Sequence, residues 1–226
     1  MLSTLLHLIF PNCCLACGGA LNHQLKNICL MCRNNLPRYR GNKQKEDQLN
    51  KLFWGRLQLE RIAAAFYFEK AGLIQELIHQ LKYEEKKELG TSLGELATSD
   101  LIATAFFKGI DYLIPVPIHP NKKKIRGYNQ SLYIAEGVHN ISGIPLEEKL
   151  ITKQVHTDSQ TKKGRFQRWQ NVSSSFHLNE HMAMEGKHLL LIDDVLTTGS
   201  TIEACAMELK KIKQVKISLL VMAYTY

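Results

Sequence analysis

Apolar and polar positions alternate with helix and strand spacing along most of the chain after Leu52. Residues Ala71–Tyr83 carry apolar side chains three and four positions apart, which predicts an amphipathic helix. Arg61–Glu69 is rich in alanine and aromatic residues and predicts a strand. Further helices are predicted at Gly90–Phe107, Asn129–Val138 and Thr201–Ile212.

Three later apolar runs predict strands. Asp111–Ile118 is short and is cut by Pro115 and Pro117, so it predicts a buried strand that ends in a rigid loop. Lys187–Asp193 is almost continuously apolar, as in a central parallel strand that is buried on both faces. Lys216–Ala223 predicts the last strand. Strands that alternate with helices predict an α/β domain with a mainly parallel sheet.

The polarity pattern also predicts the domain organisation. With 226 residues, of which 45% are hydrophobic, the chain is long enough for one full core and a small extra module. We predict a cysteine module at residues 1–36, a polar linker at 37–51 and the main domain at 52–226. Met1–Phe10 is apolar but has no basic region or cleavage site, so we expect it to pack on the main domain. We therefore expect a cytoplasmic protein without membrane insertion.

Five of the six cysteines lie between residues 13 and 32. Each of the pairs Cys14-x-x-Cys17 and Cys29-x-x-Cys32 points two thiolates towards one metal, and together they form a four-sulfur zinc site. With no open ligand position, such a site is structural. Cys13 is an alternative to Cys14 as a ligand. Disulfides or a redox pair fit less well, because we expect no export and find no βαβ pattern beside the cysteines.

The segment Leu189–Leu209 combines a buried strand, two carboxylates and a hydroxyl-rich loop that leads into a helix. In an open parallel sheet, ligands bind at the carboxyl ends of the strands. Asp193 and Asp194 suit ribose hydroxyls and a Mg²⁺ ion, and the backbone around Gly199 suits a phosphate. We predict a sugar-phosphate site formed by consecutive residues: Asp193, Asp194, Val195, Leu196, Thr197, Thr198, Gly199, Ser200 and Thr201.

Basic residues are clustered, and the formal net charge of the chain is +8. Lys122, Lys123, Lys124 and Arg126 follow the second predicted strand, and we call these four residues the basic block. Arg168 lies in a second basic stretch. We predict that Lys124, Arg126 and Arg168 bind pyrophosphate, another anion or nucleic acid, since guanidinium and ammonium groups bind phosphate oxygens.

Two resemblances follow from these motifs. Residues 189–201, LLLIDDVLTTGST, resemble the motif of type I phosphoribosyltransferases that binds 5-phosphoribosyl-1-pyrophosphate (PRPP). This resemblance implies that Asp193 and Asp194 bind the ribose hydroxyls and that Val195–Thr201 surround the 5′-phosphate.

The whole pattern is similar to the ComF family, also called ComFC or GntX-like proteins. It comprises the cysteine module, Pro115-Val-Pro117, RGYNQ at 126–130, Thr157-x-x-Gln160, Arg168-x-x-Asn171 and the acidic motif. That resemblance implies a type I phosphoribosyltransferase fold, a structural zinc and a role in the uptake of single-stranded DNA during natural transformation. It also implies that Thr157–Asn171 forms the loop that closes over PRPP.

Two main functional hypotheses remain open at this point. The first is a PRPP-binding protein that also binds single-stranded DNA, with Tyr128 or Trp169 as a stacking face and competence or recombination proteins as partners. The second is an active phosphoribosyltransferase that acts on an unknown small-molecule acceptor. A transcription regulator is a weaker third hypothesis, because no helix-turn-helix pattern is evident.

Overall fold

The computed structural model describes residues 12–21, 27–39, 48–154, 176–179 and 183–225. The predictions for Met1–Phe10 and for Thr157–Asn171, which include Arg168 and Trp169, lie outside the described residues. The domain boundaries stay a prediction.

The helices and strands follow the predicted order, with some additions. The helices are α1 (Leu30–Asn35), α2 (Leu73–Tyr83), α3 (Lys87–Leu101), α4 (Pro120–Arg126), α5 (Gln130–Ser142) and α6 (Ser200–Leu209). The strands are β1 (Ile62–Tyr67), β2 (Tyr112–Pro115), β3 (Ile151–Lys153), β4 (Phe176–Leu178), β5 (His188–Leu196) and β6 (Lys216–Tyr224). No helix in the described ranges is long and apolar enough to cross a membrane.

The main sheet contains four parallel strands in the order β1-β6-β5-β2. The register places Asp193 opposite Val221 of β6, and Pro115 of β2 opposite Ile192. Because the strands are parallel, their carboxyl ends meet at one edge, which we call the rim. β3 and β4 form a separate antiparallel pair. The predicted fold class, an α/β domain with a mainly parallel sheet, is confirmed.

Helices cover the sheet on both faces, which explains the continuous apolar run of β5. Leu190 and Ile192 pack into one core cluster with α2, α3 and α5. Leu189 and Leu191 pack into a second cluster with α6 and with the β3–β4 pair. All four side chains are fully buried. Burial of such a side chain stabilises the fold by about 1.5–3 kcal/mol, so β5 is fixed firmly and its carboxyl end is a rigid base for a site.

Some element bounds differ from the predicted ones. α3 ends at Leu101 and not at Phe107, because the Leu101 carbonyl accepts hydrogen bonds from the amide (2.9 Å) and from the Oγ1 atom (2.6 Å) of Thr104, which closes the helix with a tighter turn. The Arg61 guanidinium fixes the segment that follows. It donates to the carbonyl oxygens of Ala105 (2.9 Å), Lys108 (2.6 Å) and Phe106. These oxygens therefore accept from a side chain and not from a further helical turn.

The basic block forms a short helix, α4, that was not predicted. Pro120 occupies its first turn, where a missing N–H costs nothing. The ring nitrogen Nδ1 of His119 accepts a hydrogen bond from the amide of Asn121 (3.2 Å), and Gly127 ends the helix at φ +79°. No residue of α4 is buried. The helix thus presents the basic block to solvent directly after β2.

Candidate functional site

The cysteine module brings together four thiols. The Sγ atoms of Cys14, Cys17, Cys29 and Cys32 all lie within 4.8 Å of one another. The Sγ atoms of Cys17 and Cys29 are 3.9 Å apart, and a tetrahedral zinc with bonds of about 2.3 Å separates its sulfurs by about 3.8 Å. Cys13 is exposed and stands outside the group. The geometry therefore fits a metal ion such as zinc.

The electrostatics of the cluster also suit a cation. Burial raises the pKa of the Cys32 thiol, and the neighbouring cysteines raise it further. For Cys14, burial acts in the same direction, but backbone amides, that of Cys29 first among them, outweigh it and lower the pKa to about 7. A divalent cation is the partner that allows four thiolates to lie this close together.

The predicted sugar-phosphate residues lie at the rim. β5 extends through Leu196, so the two aspartates belong to the strand and not to the loop after it. Asp193 Oδ1 accepts hydrogen bonds from Ser131 Oγ and from the amide of Asp194, each at 2.9 Å. Asp194 Oδ2 forms an ion pair with Lys82 Nζ, also at 2.9 Å. We call Asp193 and Asp194 the acid pair.

The two carboxylates of the acid pair perturb each other. Burial and the adjacent Asp194 raise the pKa of Asp193 to about 7, although the bond from Ser131 and the charge of Lys82 act against the rise. Asp193 therefore keeps its proton to a higher pH than an ordinary carboxyl does. A ligand that donates hydrogen bonds or brings a cation favours the ionised form.

A short loop, Thr197–Gly199, connects the acid pair to α6, and we call it the threonine loop. Thr197 and Thr198 are exposed, while Leu196 is buried. The Oγ1 atom of Thr198 lies 3.1 Å from Ser200 Oγ. Exposed hydroxyls and the first amides of a ten-residue helix therefore follow one another along the chain at the rim, which suits a phosphate.

Gly199 holds the threonine loop in a conformation that other residues adopt poorly. Its φ is +77°, and a Cβ atom at this position would lie 2.7 Å from Phe53 Cε1. Phe53 is buried, so its ring has little room to move. We expect Gly199→Ala to destabilise the fold by about 2–5 kcal/mol, from backbone strain and overpacking together. Urea unfolding measures this loss.

Gly143 provides the matched control. It also has positive φ, +71°, at the end of α5, but a Cβ there would meet nothing within 4 Å. Gly143→Ala should therefore lower the free energy of unfolding only through backbone strain, by about 1–2 kcal/mol. Equal losses for the two variants would show that Phe53 does not constrain the threonine loop.

The basic block lies beside the acid pair because β2 is the neighbour of β5. Lys122, Lys123 and Lys124 are exposed. Arg126 is partly engaged: it donates to Gln130 Oε1 (3.1 Å), and its guanidinium carbon lies 5.3 Å from the centre of the Tyr83 ring. The structure thus brings Arg126 to the Tyr83 ring, next to the Lys82 that pairs with Asp194, and Lys124 lies on the same short helix as Arg126.

Tyr128 and Asn129 of RGYNQ both have roles inside the fold, and the expected stacking face of Tyr128 is wrong. Tyr128 is buried; its hydroxyl donates to the carbonyl of Leu81, and burial raises its pKa to about 12, so it offers no stacking face. Asn129 directly precedes α5. It stands at the N-cap position, but its side chain makes no capping bond and donates to the carbonyl of Val116 (3.2 Å). Both residues fix the loop after β2.

Lys82, Ser131 and Phe53 contact the candidate site but were not predicted from the sequence. They come from α2, from α5 and from the segment before β1, and only the fold brings them to the rim. Their local sequence contains no signal that separates them from ordinary helix or core residues. Ser131 directly follows Gln130 of the quoted motif, and that adjacency is the nearest clue.

A cavity of about 910 Å³ opens elsewhere, beside β1. Arg61, Asp100 and Phe106 contribute to its walls, and no residue of the acid pair or the threonine loop does. Arg61 is committed to the carbonyls described above, and Arg38 pairs with Asp100 at 2.5 Å. Three charged residues of this cavity, Arg38, Arg61 and Asp100, thus already have partners, and the acid pair and the threonine loop lie elsewhere, so the rim remains the candidate site.

Solved structures with a similar fold include phosphoribosyltransferases. Adenine phosphoribosyltransferase from Saccharomyces cerevisiae is 14% identical, with a TM-score of 0.36 over 67% of this chain and 69% of its own. An allosteric regulatory enzyme of purine biosynthesis is 17% identical, with a TM-score of 0.42 over 62% of this chain and 29% of its own. No family model matches the chain.

Curated relatives carry names that concern DNA utilization or competence. DNA utilization protein YhgH of Salmonella typhi is 28% identical over 133 residues, 58% of each chain. Competence protein F of Haemophilus influenzae is 25% identical over 88% of this chain and 91% of its own. Competence protein ComFC of Bacillus subtilis is 30% identical over 42% of this chain and 36% of its own. The match thus spans less than two thirds of the YhgH protein. The resemblance to ComF proteins predicted from the motifs is confirmed.

Proposed function

We propose that this chain binds PRPP or a related ribose phosphate, together with Mg²⁺, and that it acts with single-stranded DNA in DNA uptake, as a cytoplasmic protein of the ComF type. One observation carries the proposal. The acid pair, the threonine loop and the start of α6 follow one another at the carboxyl end of an interior parallel strand, beside the exposed basic block.

The chemistry of the rim favours a ribose phosphate over a free phosphate. The acid pair repels a bare anion but accepts hydrogen bonds from vicinal ribose hydroxyls. The threonine loop supplies donors for the 5′-phosphate on the next residues. A pyrophosphate group would then lie towards the basic block, with Mg²⁺ between it and the carboxylates. The ribose, the 5′-phosphate and the pyrophosphate of PRPP would thus each contact groups of suitable charge along the rim.

The four-cysteine cluster supports the remaining parts of the proposal. With four sulfurs it leaves no ligand position open, so the zinc we propose there is structural. Clustered thiols of this kind persist in a reducing compartment, which supports a cytoplasmic location.

A nucleic-acid face is supported by the charge and the exposed aromatic side chains near the rim. Tyr83 is 59% exposed and carries Arg126 on its ring, and Trp54, 82% exposed, directly follows Phe53. Cations that alternate with exposed aromatic rings suit single-stranded DNA, since bases stack on the rings while phosphates bind the cations. The names of the relatives point to the same activity.

The test of the ribose-phosphate function is a binding and turnover experiment. We expect PRPP with Mg²⁺ to raise the Tm of the purified protein, because a ligand that binds only the folded state stabilises it. No rise at millimolar PRPP would refute the proposal. Incubation with PRPP and a pool of cell metabolites, followed by mass spectrometry, then decides the alternative. A metabolite that gains the phosphoribosyl group as pyrophosphate is released would establish a phosphoribosyltransferase, and a rise in Tm without such a product would support a binding protein.

The test of DNA binding measures how the affinity for single-stranded DNA depends on salt concentration. Affinity for a single-stranded oligonucleotide should fall as salt rises, with a slope of about 0.7 per phosphate contact on logarithmic axes. Alanine at Lys122, Lys123 and Lys124 should reduce that slope by about 2. Alanine at Lys210, Lys213 and Lys216, which are exposed at the opposite edge of the sheet, is the control of equal charge. An unchanged slope for the first variant would remove the basic block from the DNA face.

A further inference from the structure

Trp54 is an exposed residue whose chain neighbours are fixed beside the threonine loop. The residue before it, Phe53, is buried, and a Cβ atom at Gly199 would lie 2.7 Å from its Cε1 atom. Two positions after Trp54, the Arg56 guanidinium pairs at 2.9 Å with Oε2 of Glu203, a buried residue in the first turn of α6. Contacts on both sides of Trp54 thus hold its backbone beside the loop and the helix. A residue whose backbone is already fixed loses little freedom when a flat group stacks on its ring.

Tyr83 is a second exposed aromatic residue, at the other end of the proposed ribose-phosphate site. It is the last residue of α2 and directly follows Lys82, whose Nζ lies 2.9 Å from Asp194 Oδ2. The guanidinium carbon of Arg126 lies 5.3 Å from the centre of its ring. The two exposed residues therefore flank the site, with Tyr83 next to the acid pair and Trp54 next to the end of the threonine loop.

The surroundings of the two residues favour a strand of nucleic acid over a protein partner. The exposed chain neighbours of Trp54 are Lys51, Gly55 and Arg56, so its ring stands among polar groups and not in an apolar patch. Protein partners bury a contiguous apolar core. A nucleotide needs one ring on which its base stacks and donors that bind its phosphate. Tyr83 offers the same combination through Arg126.

We propose that one DNA strand contacts both Trp54 and Tyr83 and passes over the acid pair and the threonine loop between them, so that single-stranded DNA and PRPP exclude each other. The inference rests on the function proposed above and adds a regulatory link between its two ligands. Phosphates of the strand bind at the threonine loop and at Arg126, while Lys82 neutralises Asp194 between them. Because coupling between two ligands is reciprocal, each weakens the binding of the other by the same factor.

The experiment measures the affinity for a fluorescent single-stranded oligonucleotide by anisotropy, with and without PRPP. Free Mg²⁺ is kept constant, and sodium chloride holds the ionic strength constant, since salt alone weakens DNA binding. At a PRPP concentration of about ten times its own Kd, PRPP occupies about nine tenths of the sites. The apparent Kd for the oligonucleotide should then rise about tenfold.

Trp54→Ala separates the two ligands. It should lower the affinity for the oligonucleotide about 5- to 100-fold, the effect of one stacked base. The affinity for PRPP should stay within about twofold, because Trp54 lies outside the acid pair and the threonine loop. Trp54→Phe keeps an aromatic face and should restore most of the DNA affinity. Ile141→Ala is the matched control and should leave both affinities unchanged, since Ile141 is an exposed apolar residue at the end of α5 that is remote from Ser131 and the rim.

The outcomes distinguish this inference from the function on which it rests. If wild-type protein fails to bind PRPP or fails to bind the oligonucleotide, the proposed function fails and the inference fails with it. If wild-type protein binds both, the inference alone is overturned when saturating PRPP leaves the DNA affinity unchanged or raises it. It is also overturned when Trp54→Ala binds the oligonucleotide as wild type does, or loses both ligands equally with an unchanged Tm.

Discussion

Loss of metal from the four-cysteine cluster is expected to destabilise the whole chain and not only its N-terminal part. Cys14, Ile28, Cys32 and Leu36 are buried in the same core cluster that contains residues of α2, α3 and α5. Asn27 Nδ2 donates to Ser92 Oγ of α3 at 3.0 Å, which ties the module to the main domain. When the module unfolds, this shared core is exposed.

Cys32→Ser tests this expectation. Removal of a buried thiolate ligand should reduce bound zinc from about one per chain to almost none. The lost metal and the exposed core should lower the free energy of unfolding by at least about 3 kcal/mol, or the Tm by about 10 °C. Metal analysis of protein purified without chelator and calorimetric melting measure the two effects.

Cys13→Ser is the control for this substitution, and it also decides between Cys13 and Cys14. Because Cys13 is exposed and lies outside the cluster, its replacement should change neither the zinc content nor, beyond about 0.5 kcal/mol, the stability. Zinc that survives in Cys14→Ser but is lost in Cys13→Ser would reverse our assignment of the ligands.

The parts of the molecule that could be predicted from sequence are those in which neighbouring residues act together. The apolar run of β5 predicted an interior strand because burial on both faces leaves no polar position. The two C-x-x-C pairs predicted a thiol cluster because each pair is nearly a site in itself. The acid pair and the threonine loop are likewise consecutive, so their order along the chain is also their order in space.

Contacts between distant segments could not be predicted in this way. Lys82 meets Asp194, and Ser131 donates to Asp193, only because α2 ends and α5 begins near the carboxyl edge of β5. Tyr128 is a second example of a side chain whose surroundings could not be predicted from the local sequence. An aromatic ring beside four cations suggested a stacking face, but the ring packs on Tyr133 at 5.1 Å in the core. Whether such a side chain is buried depends on tertiary packing.

Replacement of both residues of the acid pair by asparagine should weaken PRPP binding by at least about 100-fold. Each carboxylate that accepts from a ribose hydroxyl is expected to contribute about 1.5–3 kcal/mol. Asparagine keeps the shape, and its oxygen can still accept from Ser131 Oγ, so the fold and the zinc content should persist. Calorimetric titration with PRPP and Mg²⁺ measures the loss.

Asp100→Asn is the control for the acid pair, because it also removes a carboxylate from an ion pair, with Arg38, but away from the rim. Its affinity for PRPP should equal that of wild type. Retained PRPP binding in Asp193→Asn/Asp194→Asn would exclude the acid pair from the ribose site.

The pH dependence of binding provides a second measure of the same carboxylates. The pKa of Asp193 is raised to about 7, mainly by burial and by Asp194. Because ribose hydroxyls and Mg²⁺ favour the ionised form, binding must release a proton from the fraction of molecules in which Asp193 is protonated. The affinity of wild-type protein for PRPP should therefore rise by up to tenfold per pH unit below a pH of about 7. Above that pH it should level off. The residual binding of the double asparagine variant should lack this rise, and a wild-type affinity independent of pH between about 6 and 8 would mean that Asp193 does not contact the ligand.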